Sequence, residues 1–199
     1  MMLIEETTVP DAVLPVEDFK AHLRLGTSFG QDTTQDDVLT GFLRAAMSAI
    51  EARTGKVMIR RSFSWSVTSW QAREAQVLPV APVAQVTRVA LVAQDGNESV
   101  VSASSYWLEQ DSQRPRLRAS GGHFLSVPRN GSAVIEFEAG FGANWSELPA
   151  DMKQAMLMLA AHYYEYRHET SLGDGCMPFG VTSLIERYKP MRMGFGSGR

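Results

Sequence analysis

Four residues near the end of the most strongly periodic helical segment have side chains that bind metal ions: His162, Glu165, His168 and Glu169. Paired histidine ligands on one helix stand on adjacent turns, three or four residues apart. His162 and His168 are six residues apart, which places them on different sides of the helix, and the sequence has no His-Glu-x-x-His motif. The spacing therefore favours partly buried or interfacial histidines beside a tyrosine cluster, and we predict no metal and no cofactor.

Candidates for acid-base or nucleophilic chemistry are few. Cys176 is the only thiol and lies in a glycine-rich segment, where a lone cysteine is usually incidental. Glu136 and Glu138 share one face of a predicted strand, and such a carboxylate pair could carry acid-base chemistry. A solvated strand face explains the same two glutamates more simply. We therefore predict that the protein is not an enzyme.

Two further patterns could indicate phosphate or nucleotide binding. Gly140 and Gly142 follow a predicted strand and precede a helix, but Trp145 stands where a dinucleotide fingerprint needs its third glycine. The glycines are interpreted as a tight backbone turn. Arginines cluster around a predicted hairpin, without the interleaved aromatic residues of a base-stacking platform, at positions 114, 116, 118 and 129. They are interpreted as an exposed basic rim.

The composition narrows the class of protein. A chain of 199 residues suits one domain, or one domain with a sizeable insertion, and 44% hydrophobic with 21% charged residues is typical of globular proteins. The net charge of −3 argues against a protein that coats DNA through phosphate contacts. No apolar run approaches the about 20 residues of a membrane-spanning helix. Acids occupy the N-terminus where a signal peptide is positively charged, so we expect an unprocessed chain that is not in a membrane.

The spacing of hydrophobic residues predicts the helices and strands that carry the candidate site residues. Apolar residues at intervals of three and four predict helices over residues 16–25, 37–54, 149–169 and 181–188. Gly26, Gly55 and Pro190 are the predicted terminators. Alternating patterns predict short strands over residues 62–67, 76–80, 85–93, 98–101, 106–109, 116–118, 123–127 and 133–139. Asp95-Gly96 and Asn130-Gly131 carry the signal of tight turns.

The simplest topology is α+β. The two long helices pack against each other as a helical base, completed by the short N- and C-terminal helices, and the β region is inserted as an antiparallel sheet or small sandwich. The expected division is an N-terminal helical part, the inserted β region, the C-terminal helices and a flexible tail, over residues 1–55, 56–145, 146–190 and 191–199. The tail has three glycines and cannot bury itself, so it is either frayed or held by a partner.

Short packing and turn motifs, taken in order along the chain, resemble the head-tail connector, or adaptor, proteins of long-tailed phages and of phage-derived gene transfer agents. They are residues 14–24 (LPVEDFKAHLR), 50–55 (IEARTG), Trp65 and Trp70, 78–83 (LPVAPV), 137–142 (FEAGFG), 148–149 with 161–165 (AHYYE), and 178–181 (PFGV) leading to Tyr188. Each motif is short, and their colinear succession over most of the chain makes the resemblance specific.

The resemblance implies a structural protein of a virion or virus-like particle, made in the bacterial cytoplasm and located at the head-tail interface. Its subunits would form a ring, twelve-fold in this family, between the portal protein and the tail stopper protein, with DNA passing through the lumen without specific binding. The tail would reach the portal. We hypothesise that Arg187, Tyr188, Arg192 and Phe195 are the partner-binding residues, because arginine and aromatic residues are common interface hot spots.

The charge changes sign along the chain, which is compatible with contacts between subunits of a ring. Residues 1–55 hold 4 basic and 9 acidic residues, residues 56–170 hold 11 of each, and residues 171–199 hold 4 basic and 2 acidic. An acidic N-terminal part and a basic tail can make complementary contacts within a ring. The alternative is a ligand- or glycan-binding module, or an enzyme, built on the β region, which Trp65, Trp70 and Trp107 would suit. The order of ring assembly, the faces that meet and the kind of particle stay open.

Overall fold

The computed structural model describes residues 1–24, 35–167 and 177–189. Within them the helices are α1 (Val16–His22), α2 (Asp36–Thr54), α3 (Ala150–Glu165) and α4 (Phe179–Ile185). The strands are β1 (Met2–Glu5), β2 (Arg61–Val67), β3 (Ala75–Val77), β4 (Val83–Val92), β5 (Glu98–Val100), β6 (Tyr106–Glu109), β7 (Arg116–Ala119) and β8 (Ser132–Ala139). The predicted α+β class is confirmed.

The helical base forms because α2 and α3 each carry an apolar stripe that the other covers. Leu39, Leu43 and Ile50 of α2 are buried, and they belong to one core with residues of the other three helices: Phe19, Met152, Met156, Leu159, Val181 and Ile185. Helix α2 ends as predicted, at Gly55, whose left-handed φ of 67° suits a residue without a Cβ. Helix α1 ends earlier than predicted, at His22, because Arg24 already adopts a left-handed φ of 55°.

A five-stranded antiparallel sheet, in the order β1-β2-β8-β4-β5, begins the β region. Its inner face is apolar: Phe63, Trp65 and Val67 of β2 are buried and stand opposite Phe137, Ile135 and Ala133 of β8. The other face, called the outer face here, carries the alternating serines of β2. This alternation confirms the strand predicted over 62–67.

The second sheet, in the order β3-β7-β6, supplies Leu117 to the β core that contains the inner face of the first sheet. One predicted strand, over 123–127, is wrong. In its place a loop is held by side chains: Phe124 stacks on Trp70 with ring centroids 4.4 Å apart, and the Trp70 indole N–H donates to the Leu125 carbonyl oxygen at 2.8 Å. These side-chain contacts stand in place of the backbone hydrogen bonds that a strand would make.

The sequence analysis missed β1. Met2–Glu5 pairs with β2, with Ile4 opposite Ser64. Four consecutive residues without apolar-polar alternation gave no strand signal. The division of the chain at residues 55, 145 and 190 stays a prediction, and the predicted tail over 191–199 lies outside the described residues.

The helical base joins the β region at a tight crossing near Gly140. This residue has a φ of 142°, and a Cβ there would stand 2.4 Å from the Arg60 Cα. The Gly140 N–H donates to the Pro82 carbonyl oxygen at 2.9 Å, and the Arg60 N–H donates to Gly142 at 2.7 Å. Gly140 therefore permits close approach of two backbone segments, and Gly142 leaves room for the Glu147 side chain, so both glycines are structural.

Candidate partner-binding surfaces

The structure describes only some of the candidate metal and catalytic residues. In the described part of the chain, no three histidine, cysteine, aspartate or glutamate side chains are grouped closely enough to hold a metal ion. His162 packs against Tyr166, with ring centroids 4.7 Å apart, as expected for a histidine beside the tyrosine cluster. His168, Glu169 and Cys176 lie outside the described residues. No helix in the described ranges is long and apolar enough to cross a membrane.

Glu136, one of the two strand glutamates considered for acid-base chemistry, is in an ion pair on the outer face. Arg88 Nη1 donates to Glu136 Oε1 at 2.8 Å and Nη2 contacts Glu98. Arg118, a member of the predicted arginine cluster, is also in an ion pair, with Glu109 on the neighbouring strand β6. That hydrogen bond holds the pKa of Glu109 below its usual range. Arg118 is therefore engaged within its own chain and does not contribute to an open basic rim.

Tyr188, one of the predicted partner-binding residues, is buried. It lies in a 3-10 turn (Glu186–Tyr188) after α4 and is only 6% exposed. Its hydroxyl donates to Asp151 Oδ1 at 2.7 Å, and its ring meets Phe141 edge-on with centroids 5.7 Å apart. Burial and then the hydrogen bond to Asp151 raise the pKa of Tyr188 to about 12. Tyr188 thus fixes the C-terminal segment to the base of α3, and in this arrangement a partner cannot reach its ring.

Arg187, the second predicted residue, is accessible. Its side chain is 71% exposed, its guanidinium lies 4.8 Å from the Tyr188 ring centroid, and Nε lies 3.3 Å from Asp151 Oδ2. The Arg187 carbonyl oxygen accepts a long hydrogen bond of 3.3 Å from Gln113 Nε2, in the loop before β7. Arg192 and Phe195 lie outside the described residues. The four predicted residues therefore divide into one exposed, one buried and two without a described position.

Gln113 links this segment to a buried cation. Its Oε1 accepts from Lys56 Nζ at 2.8 Å, and Lys56 is only 2% exposed. Burial lowers the pKa of Lys56, and the nearby Asp111 carboxylate opposes that shift. The C-terminal turn therefore rests on both the helical base and the β region, which gives the following residues a fixed starting point.

Large exposed apolar side chains form the surfaces that the sequence analysis missed. At the helical base, Phe179 is 86% exposed at the start of α4. At the edges of the five-stranded sheet, the exposed side chains are Met2, Leu3 and Ile4 on β1 and Val100 on β5. The run Met1 to Ile4 is a readable signal, because consecutive exposed apolar residues on a strand are unusual unless a partner covers them.

The tryptophans give limited support to a ligand-binding module. Trp65 is buried in the β core, whereas Trp107 is half exposed. Trp70 and Phe124 line an open groove of about 750 Å³ together with Arg73 and His123. Phe124 covers one face of the Trp70 ring, and the Trp70 N–H is bonded to the Leu125 carbonyl oxygen, so less of this ring is available to stack on a sugar.

Comparisons with known proteins identify close structural relatives. No protein-family model and no curated protein matches the chain. Among solved structures, it is 47% identical to a chain in the neck of an empty gene transfer agent particle computed with C6 symmetry, with 100% of both chains covered and a TM-score of 0.90. A chain in the neck of the native particle computed with C12 symmetry is 44% identical, again with 100% of both chains covered and a TM-score of 0.85. A third chain, in the virion of the native particle, is 47% identical over 98% of this chain and 99% of that chain, with a TM-score of 0.87.

Proposed function

The chain belongs to the family of head-tail connector proteins in the neck of gene transfer agent particles, and we propose that it is the adaptor, a ring between the portal protein and the tail stopper. Its role is structural and not enzymatic, and it is a component of the particle neck. Full-length similarity to neck chains is the observation that carries the proposal. Because that similarity covers the helical base and the β region alike, it concerns the whole subunit and not a shared module.

A ring of this protein is expected from the symmetry of its relatives. Their necks were computed with C6 and C12 symmetry, so the relatives are parts of multi-subunit rings. Twelve subunits are proposed for this protein. In a cyclic ring every subunit uses two different surfaces, one for each neighbour. The exposed apolar residues on the helical base and at the sheet edges offer surfaces of that kind.

The portal contact is proposed for Arg187 and for the segment that follows the described residues, with Arg192 and Phe195 as its anchors. Tyr188 is assigned a positioning role, since it is buried against Asp151 and Phe141. A basic, glycine-rich tail that starts from a fixed turn can extend to a neighbouring protein and become ordered on binding. The flexible tail over 191–199 and the division into four parts remain part of this proposal.

The ring is proposed as a conduit that DNA crosses without specific binding. The net charge of −3 agrees with this role, and Arg61, Arg88 and Arg118 are paired with carboxylates of their own chain. Paired arginines attract phosphates less strongly than free ones. A lumen mapped as strongly positive would contradict this part of the proposal.

Truncation after Lys189 tests the adaptor role in particles. The expected result is DNA-filled heads without tails, seen by electron microscopy, because the ring loses its contact with the portal. The matched control is a truncation after Gly196, which keeps Arg192 and Phe195 and should give normally tailed particles. Normal tails and normal DNA transfer from the Lys189 truncation would refute the assignment of the tail as the portal anchor.

A further inference from the structure

In the part of the chain that the structure describes, no strand pairs with the outer edge of β1, which is one edge of the five-stranded sheet. The Glu6 N–H donates to the Ser62 carbonyl oxygen at 2.9 Å, so the hydrogen-bonded pairs with β2 fall at Glu6, Ile4 and Met2. The backbone N–H and C=O groups of Leu3 and Glu5 therefore point away from the sheet. This strand contains no lysine, proline or bulge, three of the features that protect an edge strand from pairing.

Strand β5, at the opposite edge of the sheet, likewise has no further partner strand among residues 1–24, 35–167 and 177–189. The Val101 N–H donates to Val89 at 2.8 Å and the Ala93 N–H donates to Asn97 at 2.9 Å. Residues 97, 99 and 101 therefore face β4, and the backbone groups of Glu98 and Val100 point outward. Each edge thus offers two residues with outward N–H and C=O groups.

The two edges also match in direction and in side chains. Neighbouring strands are antiparallel throughout the order β1-β2-β8-β4-β5, so β1 and β5 run in the same direction. Met2 is opposite Ser66, and a row of directly paired residues continues through Val134 and Ala90 to Val100. Met2, Ile4 and Val100 consequently lie on the same outer face, and all three are exposed.

We infer that β5 of one subunit pairs in parallel with β1 of the next, so that the five-stranded sheets form a continuous belt around the ring. This inference rests on the proposed ring. The register that places Val100 opposite Ile4 joins two exposed aliphatic side chains on the outer face. In that register the Val100 N–H donates to the Leu3 carbonyl oxygen, the Glu5 N–H donates to Val100, and the Leu3 N–H donates to Glu98.

A second copy of this chain is the occupant that fits both edges at once. Cyclic symmetry requires two different surfaces that complement each other, and an open β1 edge and an open β5 edge meet that requirement. The acidic side chains at the two edges each contact an arginine of their own subunit, Glu5 with Arg61 and Glu98 with Arg88. Glu5 lies on the inner face and Glu98 on the outer face, so these two carboxylates do not face each other when the edges pair.

Cysteine cross-linking in assembled particles tests the pairing. The variant carries Ile4→Cys and Val100→Cys, with Cys176→Ser to remove the native thiol. After mild oxidation, a non-reducing gel of purified particles should show a ladder of multimers of this chain, since each link joins successive subunits. The control pairs Ile4→Cys with Leu125→Cys, because Leu125 is 58% exposed and Val100 is 62% exposed, and it should give no ladder.

The outcomes separate the pairing from the adaptor role. Particles that contain this protein in their necks but yield only monomers would overturn the pairing and leave the adaptor role intact. A link from Ile4→Cys to another particle protein, in place of the ladder, would overturn it as well. Absence of the wild-type chain from the neck would instead refute the proposed function.

A proline substitution provides a second measurement. Val100→Pro removes an N–H that points outward and takes no part in the β4 ladder, so the isolated subunit should unfold at the same urea concentration as Val100→Ala. Val100→Pro should nevertheless be lost from particle necks, whereas Val100→Ala should be incorporated. Equal incorporation of the two variants would overturn the inference.

Discussion

Replacing Arg61 with methionine should destabilise the subunit more than the loss of a surface ion pair, because the guanidinium connects three elements. Nη1 and Nη2 donate to Glu51 of α2 at 3.0 and 2.7 Å, and Nε lies 2.8 Å from Glu5 of β1. The Arg61 side chain is only 8% exposed, and that of Glu51 is 13% exposed. Methionine keeps much of the aliphatic volume and removes the charge.

The expected cost follows from the carboxylate left behind. Breaking a buried ion pair by removing one partner costs about 3 to 5 kcal/mol, because the remaining charge is not compensated. Glu51 keeps one hydrogen bond, from the Met58 N–H at 2.7 Å, so the lower end of that range applies. With a urea slope of about 2 to 3 kcal/mol per M for a chain of this size, the unfolding midpoint should fall by about 1 M or more.

Urea unfolding followed by tryptophan fluorescence measures this loss. Arg60→Met is the matched control: it makes the same change at the adjacent, exposed arginine and should shift the midpoint little. The double variant Arg61→Met, Glu51→Leu removes both charges and should recover much of the stability. An Arg61→Met midpoint equal to that of Arg60→Met, or a double variant as unstable as Arg61→Met, would refute the reasoning.

Two further substitutions test the crossing of the two parts and the C-terminal turn. Gly140→Ala forces a Cβ to within 2.4 Å of the Arg60 Cα and should lower the free energy of unfolding by about 3 kcal/mol or more, which is measured as a lower Tm. In the control Gly121→Ala the Cβ enters open space, so the Tm should change little. Tyr188→Phe should lower the unfolding free energy by about 1 to 2 kcal/mol at neutral pH, since Asp151 loses a hydrogen bond. The pKa of Tyr188 rises from 10.0 to about 12 on folding, so the stabilisation by its hydroxyl is present below pH 10 and is lost as the pH approaches 12. The urea midpoints of the wild-type protein and of Tyr188→Phe should therefore converge above pH 10. A gap between the two midpoints that stays constant with pH would contradict this assignment.

The elements that the sequence predicts well are those whose pattern is set by one buried face. Helix α2 repeats apolar residues over five turns, and Phe63, Trp65 and Val67 of β2 alternate with serines, so the period of both elements is unambiguous. Strand β1 has no buried face: all four residues are exposed, and only pairing with β2 makes it a strand. The loop over 123–127 has an apolar composition that satisfies a strand pattern, but the stacking of Phe124 on Trp70 depends on a contact across 54 positions of sequence.

The predicted partner-binding residues also show that contacts between distant parts of the sequence limit prediction. Arginine and tyrosine in a C-terminal segment are typical of an interface, and composition alone does not distinguish an exposed tyrosine from a buried one. The structure separates them through Asp151, which holds the Tyr188 hydroxyl at 2.7 Å and the Arg187 guanidinium at 3.3 Å from its two oxygens. No local pattern links Asp151 at the start of α3 to a turn 37 residues later.

The placement of the two ion networks connects subunit stability to the proposed belt. Arg61 of β2 contacts Glu5 of β1, and Arg88 of β4 contacts Glu98 of β5. Each edge strand is therefore held by an arginine of the adjacent strand in its own sheet. An edge that is ordered before it meets its neighbour loses less conformational entropy on pairing. The same arginines are thereby withdrawn from contact with DNA phosphates. The proposed conduit ring needs both properties at once, since its subunits adhere to each other and not to the DNA that passes through the lumen.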